Sequence, residues 1–158
     1  VKPGEIGEMV VTTLRKEAVP LIRYRTRDLT RLIPERCPCG SLLPMHDRIL
    51  GRSDDMFIFR GVNIYPSHVD EILSKIREVG SEYQIHLFRK EDGKDYMTLK
   101  IERAQDIIAS PEIDERIRKA VGEKIKNEIM VSCDIEILDY GSLPRSERKT
   151  KRVFDNRY

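Results

Sequence analysis

Long apolar runs are missing from this 158-residue chain. None approaches the roughly 20 residues that a membrane-spanning helix needs, so no membrane role is expected. Cysteine is scarce: there are three, with Cys37 and Cys39 one residue apart. An odd, unevenly spaced set makes a poor disulfide framework and favours a reducing compartment. Glycines do not cluster, and no two of the nine lie closer than Gly4 and Gly7, which excludes a glycine-rich loop of the kind that cradles phosphates. The chain opens on Val1 rather than Met and lacks the basic-then-apolar pattern of a signal peptide, so it reads as a piece of something longer, cytoplasmic in location. There are no internal repeats and no low-complexity tract.

What is present suits a folded, well-charged protein. Hydrophobic residues make up 39% and charged residues 35% of the chain, a balance foreign to disordered segments. The length allows one ordinary domain, or a small domain with a piece of another attached. The net charge of +2 is unevenly spread. Between residues 143 and 158, Arg145, Arg148, Lys149, Lys151, Arg152 and Arg157 face only Glu147 and Asp155. Such a tail is either a solvated terminus or a segment built to meet phosphate.

Periodicity divides the chain near Asp54. Residues 1–53 read as short strands broken by turns (Glu8 to Leu14, Leu21 to Tyr24, Thr30 to Ile33), too little to close a core alone. Gly51 to Asp55 is polar and glycine-bearing, as linkers are. Residues 54–158 open with a small hairpin around Arg60-Gly61-Val62. A helix is then predicted from Ser67, with a capping-box pattern to Asp70 and an apolar face of Val69, Ile72, Leu73, Ile76 and Val79, stopped by Gly80. Strands over Tyr83 to Phe88 and Tyr96 to Ile101 flank an Asp92-Gly93 turn. Ser110 caps a second helix with Pro111 at its first position and an apolar side of Ile113, Ile117, Val121, Ile125 and Ile129. A last strand carries Cys133, Ile135 and Ile137. The expectation is an α+β, ferredoxin-like split βαβ domain, with two helices on one face of an antiparallel sheet, preceded by a strand-rich remnant of a larger domain.

Three motifs stand in register: Tyr24-Arg25-Thr26-Arg27-Asp28; Gly51-Arg52-Ser53-Asp54-Asp55 running on to Arg60-Gly61-Val62-Asn63-Ile64-Tyr65-Pro66; and Leu143-Pro144-Arg145-Ser146-Glu147-Arg148-Lys149-Thr150-Lys151-Arg152. In this order they resemble the C-terminal third of acyl-adenylate-forming enzymes, most closely the phenylacetate-CoA ligase branch. The resemblance implies a carboxylic acid activated with ATP and magnesium to an acyl-adenylate, then transferred to coenzyme A. It assigns to Lys149 the adenylation lysine of a Pro-x-x-x-Gly-Lys-x-x-Arg pattern, with Arg148 where the family usually has Gly and Lys151 as the competing candidate. A long, mobile ammonium suits the charge that builds when a carboxylate attacks an α-phosphate. By the same resemblance Asp28 and Arg52 meet the nucleotide ribose, Asp54 is the pivot of the small domain, and Gly61, Val62 and Asn63 line the coenzyme A channel. Arg27 also stands where many relatives have Gly.

The residues leave bland readings beside each of these. Arg52 and Asp54 could form a salt bridge in a polar turn, Asp28 could cap a turn, and Gly61 could be an ordinary hairpin glycine. Cys37 and Cys39 offer half the ligands of a tetrahedral zinc site, with His46 nearby; the alternative is a pair of free thiols in a turn. Cys133 is expected in the core. The partners implied are the rest of the large domain and a small carboxylic acid, with no nucleic acid, and exposed sheet edges leave a homodimer open. Three other readings stay open: a methanogen synthetase that adenylylates a deazaflavin coenzyme, a stand-alone ferredoxin-like module binding RNA through His86, Phe88, Tyr96 and Lys100, and a regulatory module. The piece alone is expected to be catalytically silent.

Overall fold

The computed structural model describes residues 1–145 and 151–158. They fall into two compact units, Val1–Met56 and Phe57–Tyr158.

The first unit is organised by one long strand. β1 (Ile6–Val11), β3 (Met45–His46) and β4 (Gly51–Arg52) each pair antiparallel with β2 (Tyr24–Ile33). The turn expected between Tyr24 and Thr30 is absent because the polar residues there find cross-strand partners. Arg25 donates two bonds to the Glu8 carboxylate, at 3.0 and 2.6 Å, and the Thr26 hydroxyl donates to the Met9 carbonyl at 3.2 Å. Only Thr30 is buried in this unit; its hydroxyl donates to the Asp47 carbonyl at 2.9 Å. Ile6, Val10, Leu14, Ile22, Tyr24 and Leu32 are exposed, so these residues alone enclose no core.

The core belongs wholly to the second unit. β5 (Phe57–Phe59) and β6 (Val62–Ile64) form a hairpin of their own. Its two-residue turn has Arg60 at φ 49° and Gly61 at φ 80°, the doubly left-handed geometry that matches strand twist. α1 (Pro66–Ser74) leads to β7 (Val79–Arg89), β8 (Asp95–Arg103), α2 (Pro111–Ile129), β9 (Asp134–Leu138) and β10 (Val153–Asn156). The sheet order is β10-β7-β8-β9. Tyr83, Ile85 and Leu87 on β7, with Met97, Leu99 and Ile101 on β8, alternate onto one face. Val69, Ile72 and Leu73 of α1 and Ile117, Val121, Ile125 and Ile129 of α2 cover that face. Each such side chain contributes about 1.5–3 kcal/mol of burial. α2 begins as its sequence dictates, with the Ser110 hydroxyl accepting from the Ile113 amide at 3.2 Å and Pro111 following.

The α+β class with two helices on one sheet face holds, and three details differ from expectation. The central β7–β8 pair is antiparallel, but both outer pairs are parallel. β8, α2 and β9 form a crossover unit, whose strands must run the same way. Strand β10, which the sequence left as a basic tail, fills the other edge. α1 stops at Ser74, not Gly80, and its cap position is Tyr65, not Ser67, because Pro66 supplies the first helical residue without needing a donor. Ile76 and Val79 still join the core, which is why the apolar period ran on past the helix. Gly80 lies in β7, where a Cβ would stand 2.9 Å from the Arg103 carbonyl oxygen; it permits a close strand approach and does not stop a helix.

Candidate functional site

In the first unit, pairing of β2 with β4 sets Asp28 directly opposite Arg52. The Arg27 carbonyl accepts from the Ser53 amide at 2.7 Å and extends that pairing by one bond. Arg27 itself sits at φ 71°, a left-handed conformation that glycine adopts without penalty and a branched or long side chain only rarely. The Arg52 guanidinium donates to Asp28 Oδ1 at 3.0 Å and to both Asp54 oxygens, at 3.0 and 3.1 Å. Asp55 is further off, at 3.8 Å. Hydrogen bonding to Arg52 holds the Asp54 carboxyl below its ordinary range, and Asp54 in turn raises Arg52. The salt bridge between Arg52 and Asp54 is therefore real, and it belongs to a three-residue cluster with Asp28. All three side chains remain partly open to solvent, so the cluster offers a preoriented carboxylate and guanidinium to a hydroxyl-bearing ligand. Asp54 lies two residues before the division between the units.

In the second unit, the hairpin tip presents Gly61 and Asn63 exposed and Val62 half-buried. A Cβ on Gly61 would meet nothing within 4 Å, so the space beside it is open. Arg60 is drawn aside, donating twice to the Asp95 carbonyl, at 3.2 and 3.0 Å, and lying over the Tyr96 ring. Phe57, Phe59 and Ile64 anchor the hairpin in the core.

Lys149 and Arg148 lie outside the described residues. Their chain neighbours are held by two features that the sequence did not disclose. Ahead of them, the Glu102 carboxylate, fully buried, accepts from the amides of Gly141 and Leu143 and from Arg145. Behind them, Arg152 donates to Glu82 at 2.8 Å and to the Tyr83 carbonyl at 3.1 Å. No sequence signal could have found these, since Glu82 and Glu102 fall on outward positions of strands where any polar residue is expected. Competing candidate Lys151 places its ammonium over the Phe154 ring.

Cys37 and Cys39 bring their sulfurs to 2.7 Å in a turn closed by the Gly40 amide on the Cys37 carbonyl. The bond from Cys37 lowers the Cys39 thiol. His46 directs Nδ1 to the Asp47 carbonyl at 2.7 Å. Among the described residues no group of three or more His, Cys, Asp or Glu could hold a metal; two thiols are only half of the four ligands a structural zinc site needs. Cys133, packed against the core as expected, is pushed up to about 11 by burial. On the open sheet face His86 stacks on Phe154 and Phe88 on Tyr96, while Lys100 pairs with Glu136 at 3.0 Å. No helix among the described residues is long and apolar enough to cross a membrane.

Comparison with known proteins gives consistent relatives. Residues 61–157 match the family profile of the AMP-binding enzyme C-terminal domain. The chain is 43% identical over 157 residues to phenylacetate-coenzyme A ligase of Escherichia coli K12, covering 98% of this chain and 35% of that protein. A 2-hydroxyisobutyryl-CoA ligase solved in the postadenylation state with R3-HIB-AMP matches with a TM-score of 0.87 at 32% identity, over 99% of this chain and 33% of that one. The same ligase has been solved with 2-HIB-AMP and CoA in the thioesterification state, matching at a TM-score of 0.61 and 32% identity, again over 99% and 33%. A domain of phenylacetate-coenzyme A ligase from Bacteroides vulgatus matches at a TM-score of 0.60 and 33% identity, over 66% of this chain and 95% of that domain. The chain spans about a third of the length of the curated relatives it matches.

Proposed function

This chain belongs to the AMP-binding enzyme C-terminal domain family, and from that premise we propose that it is the C-terminal part of an acid–thiol ligase of the phenylacetate-CoA ligase kind. The substrate is an aryl or other small carboxylic acid. In the first half-reaction its carboxylate oxygen attacks the α-phosphorus of ATP, forming the acyl-adenylate and expelling pyrophosphate, whose charge magnesium would screen. In the second, the thiol of coenzyme A attacks the acyl carbon, forming the thioester and expelling AMP, while the thiol proton passes to solvent.

The observation that carries this reading is the cross-strand pairing of Asp28 with Arg52. Two residues far apart in sequence, each assigned to the ribose by resemblance, meet in one hydrogen-bonded cluster. The Asp28 carboxylate accepts from ribose hydroxyls, and Arg52, held by Asp54, donates beside it. Residues 1–53 are then the end of the large adenylate-forming domain and residues 54–158 the mobile small domain, with Asp54 as the pivot. Lys149 neutralises the charge that develops on the α-phosphate. After rotation of the small domain the open space beside Gly61, with Val62 and Asn63, passes the thiol arm. Cys37 and Cys39 would hold half of a zinc site whose other ligands come from outside this chain.

The test uses the full-length protein that carries these residues. Lys149→Ala should slow acid-dependent exchange of pyrophosphate into ATP by roughly 10²- to 10³-fold, while thioester formation from a supplied acyl-adenylate is largely spared. Equal loss of both steps would count against the assignment, and an adenylate made without any use of coenzyme A would turn the reading toward simple AMP transfer.

A further inference from the structure

Resting on that reading, we infer that Glu102 is a positioning residue for the adenylation lysine, working through the chain that enters segment 146–150. Glu102 lies near the end of β8 on the face opposite the helices, the face of Tyr96, Thr98 and Lys100. Polar side chains on that face are otherwise half-buried or exposed, yet Glu102 is fully enclosed. What encloses it is the stretch following β9. Glu102 Oε2 accepts from the Gly141 amide at 3.1 Å and from Arg145 Nη2 at 2.7 Å, and Oε1 accepts from the Leu143 amide and, at 3.4 Å, from Arg145 Nη1. Leu143 is buried beside it, and the Arg145 guanidinium lies 4.6 Å from the Tyr140 ring centre.

A carboxylate with no exposed surface is costly unless its acceptors are filled. Here two backbone amides and one guanidinium fill them, and all of these come from residues 141–145. The bonds therefore fix the backbone that leads into the lysine segment rather than stabilising β8, whose strand pairing is complete without them. Burial by itself would raise the Glu102 carboxyl; Arg145 and the amides of Leu143 and Gly141 outweigh it and keep the group ionised.

The exit of the segment is fixed in the same way on the neighbouring strand. The β7–β8 register shifts between Val79 and Tyr83, and the irregular stretch turns the Ser81 and Tyr83 carbonyls and the Glu82 carboxylate toward Arg152. The Arg152 carbonyl accepts from the Ile85 amide at 2.7 Å, and β10 then runs on in parallel with β7. Two glutamates on adjacent strands, each closed by an arginine, thus fix residues 141–145 on one side of Lys149 and Arg152 on the other.

The experiment compares Glu102→Gln and Arg145→Gln with wild type in the full-length protein, using two half-reactions and amide hydrogen exchange. A glutamine in place of Glu102 could not accept from all three donors, and the less buried Arg145 keeps the test valid if the first variant folds poorly. Both variants should lose about 10- to 100-fold in acid-dependent pyrophosphate exchange, the scale of a small misplacement of a catalytic group. They should retain thioester formation from supplied adenylate, and amides of residues 141–145 should exchange faster while those of β7 and β8 do not. Equal loss in both half-reactions, or an unchanged adenylation rate, overturns the positioning role. A wild-type protein without acid-dependent exchange sinks the ligase reading instead; the amide readout then still decides whether Glu102 fixes this stretch, and unaltered exchange there refutes it.

Discussion

Alanine at Gly61 and alanine at Gly80 should destabilise the second unit for different reasons, and a third side chain tells those reasons apart. Gly61 has φ 80° with nothing within 4 Å of a built Cβ, so Gly61→Ala costs only the left-handed backbone, about 1–2 kcal/mol. Asparagine tolerates that region better than alanine, so Gly61→Asn should recover part of the loss. Gly80 does not have a left-handed φ, but its Cβ would stand 2.9 Å from the Arg103 carbonyl oxygen and 3.4 Å from that of Glu102. Both atoms are backbone of a paired strand and cannot swing away, so Gly80→Ala should cost about 1–3 kcal/mol, the range for overpacking. Gly80→Asn should be worse, because a longer side chain enters the same gap. Equilibrium urea unfolding measures all four, followed by far-UV circular dichroism and by tyrosine fluorescence, since the chain has six Tyr and no Trp. If Gly80→Ala unfolds at the wild-type midpoint, or if asparagine ranks with alanine the same way at both sites, the close-approach account of Gly80 is wrong. In the full-length protein Gly61→Ala should also slow thioester formation more than adenylation.

Arg52→Gln should leave the unfolding midpoint nearly unchanged, because its partners are partly solvated and such pairs add little stability; the KM for ATP should rise severalfold, and an unaltered KM removes Arg52 from the nucleotide. Iodoacetamide should label Cys37 and Cys39 in the native chain and Cys133 only on unfolding, since burial pushes Cys133 up to about 11 while Cys39 is lowered. Three equal labelling rates would contradict this, and zinc that fails to slow the first two rates in the full-length protein removes the half-site. Asp114→Asn removes the carboxylate charge and one of the two bonds, each 2.7 Å, that the largely buried Arg103 donates to Asp114. With Asp139 still bound to Arg103 and Asp114 part-solvated, the expected loss is about 1–3 kcal/mol. Arg103 holds the Asp114 carboxyl below its ordinary value, so this contribution is present above the ordinary aspartate range and disappears as pH falls through the lowered one. The Asn variant should therefore show a flatter stability profile on the acid side; an identical profile refutes the linkage.

How far the sequence could be read depended on whether a feature was local. α2 was legible from Ser110 to Ile129 because cap, first-turn proline and apolar period agree within one segment. The Arg60-Gly61 turn and the Asp92-Gly93 turn announce themselves for the same reason. What resisted was set by partners distant in the chain. β2 ran through an apparent turn because Glu8 and Met9 answer Arg25 and Thr26 across the sheet. Gly80 looked like a helix stop because its actual constraint, the Arg103 carbonyl, lies on another strand. β10 was hidden in a basic tail because a strand of four residues, Val153–Asn156, has too little length to show a period. The candidate site divides likewise. Asp28, Arg52 and Asp54 were visible as motifs, but that they form one cluster is a fact of strand register. Glu82 and Glu102 carried no signal at all.

The candidate residues of the two units stand in different surroundings, and that difference fits the work proposed for each. Asp28 and Arg52 form a cluster partly open to solvent, where a ligand can replace water around the carboxylate at little cost. Side chains that hold the chain on either side of Lys149 rise instead from β7 and β8, whose opposite face carries Ile85, Leu87, Leu99 and Ile101, each at most 2% exposed. Close-packed interiors transmit displacement rather than absorb it, so an anchor on that pair of strands holds its position whatever the surrounding solvent does. The charge proposed to be delivered by Lys149 to a phosphate, within fractions of an ångström, needs such a base. Placing Glu82 and Glu102 on adjacent strands over the best-packed part of the sheet supplies it.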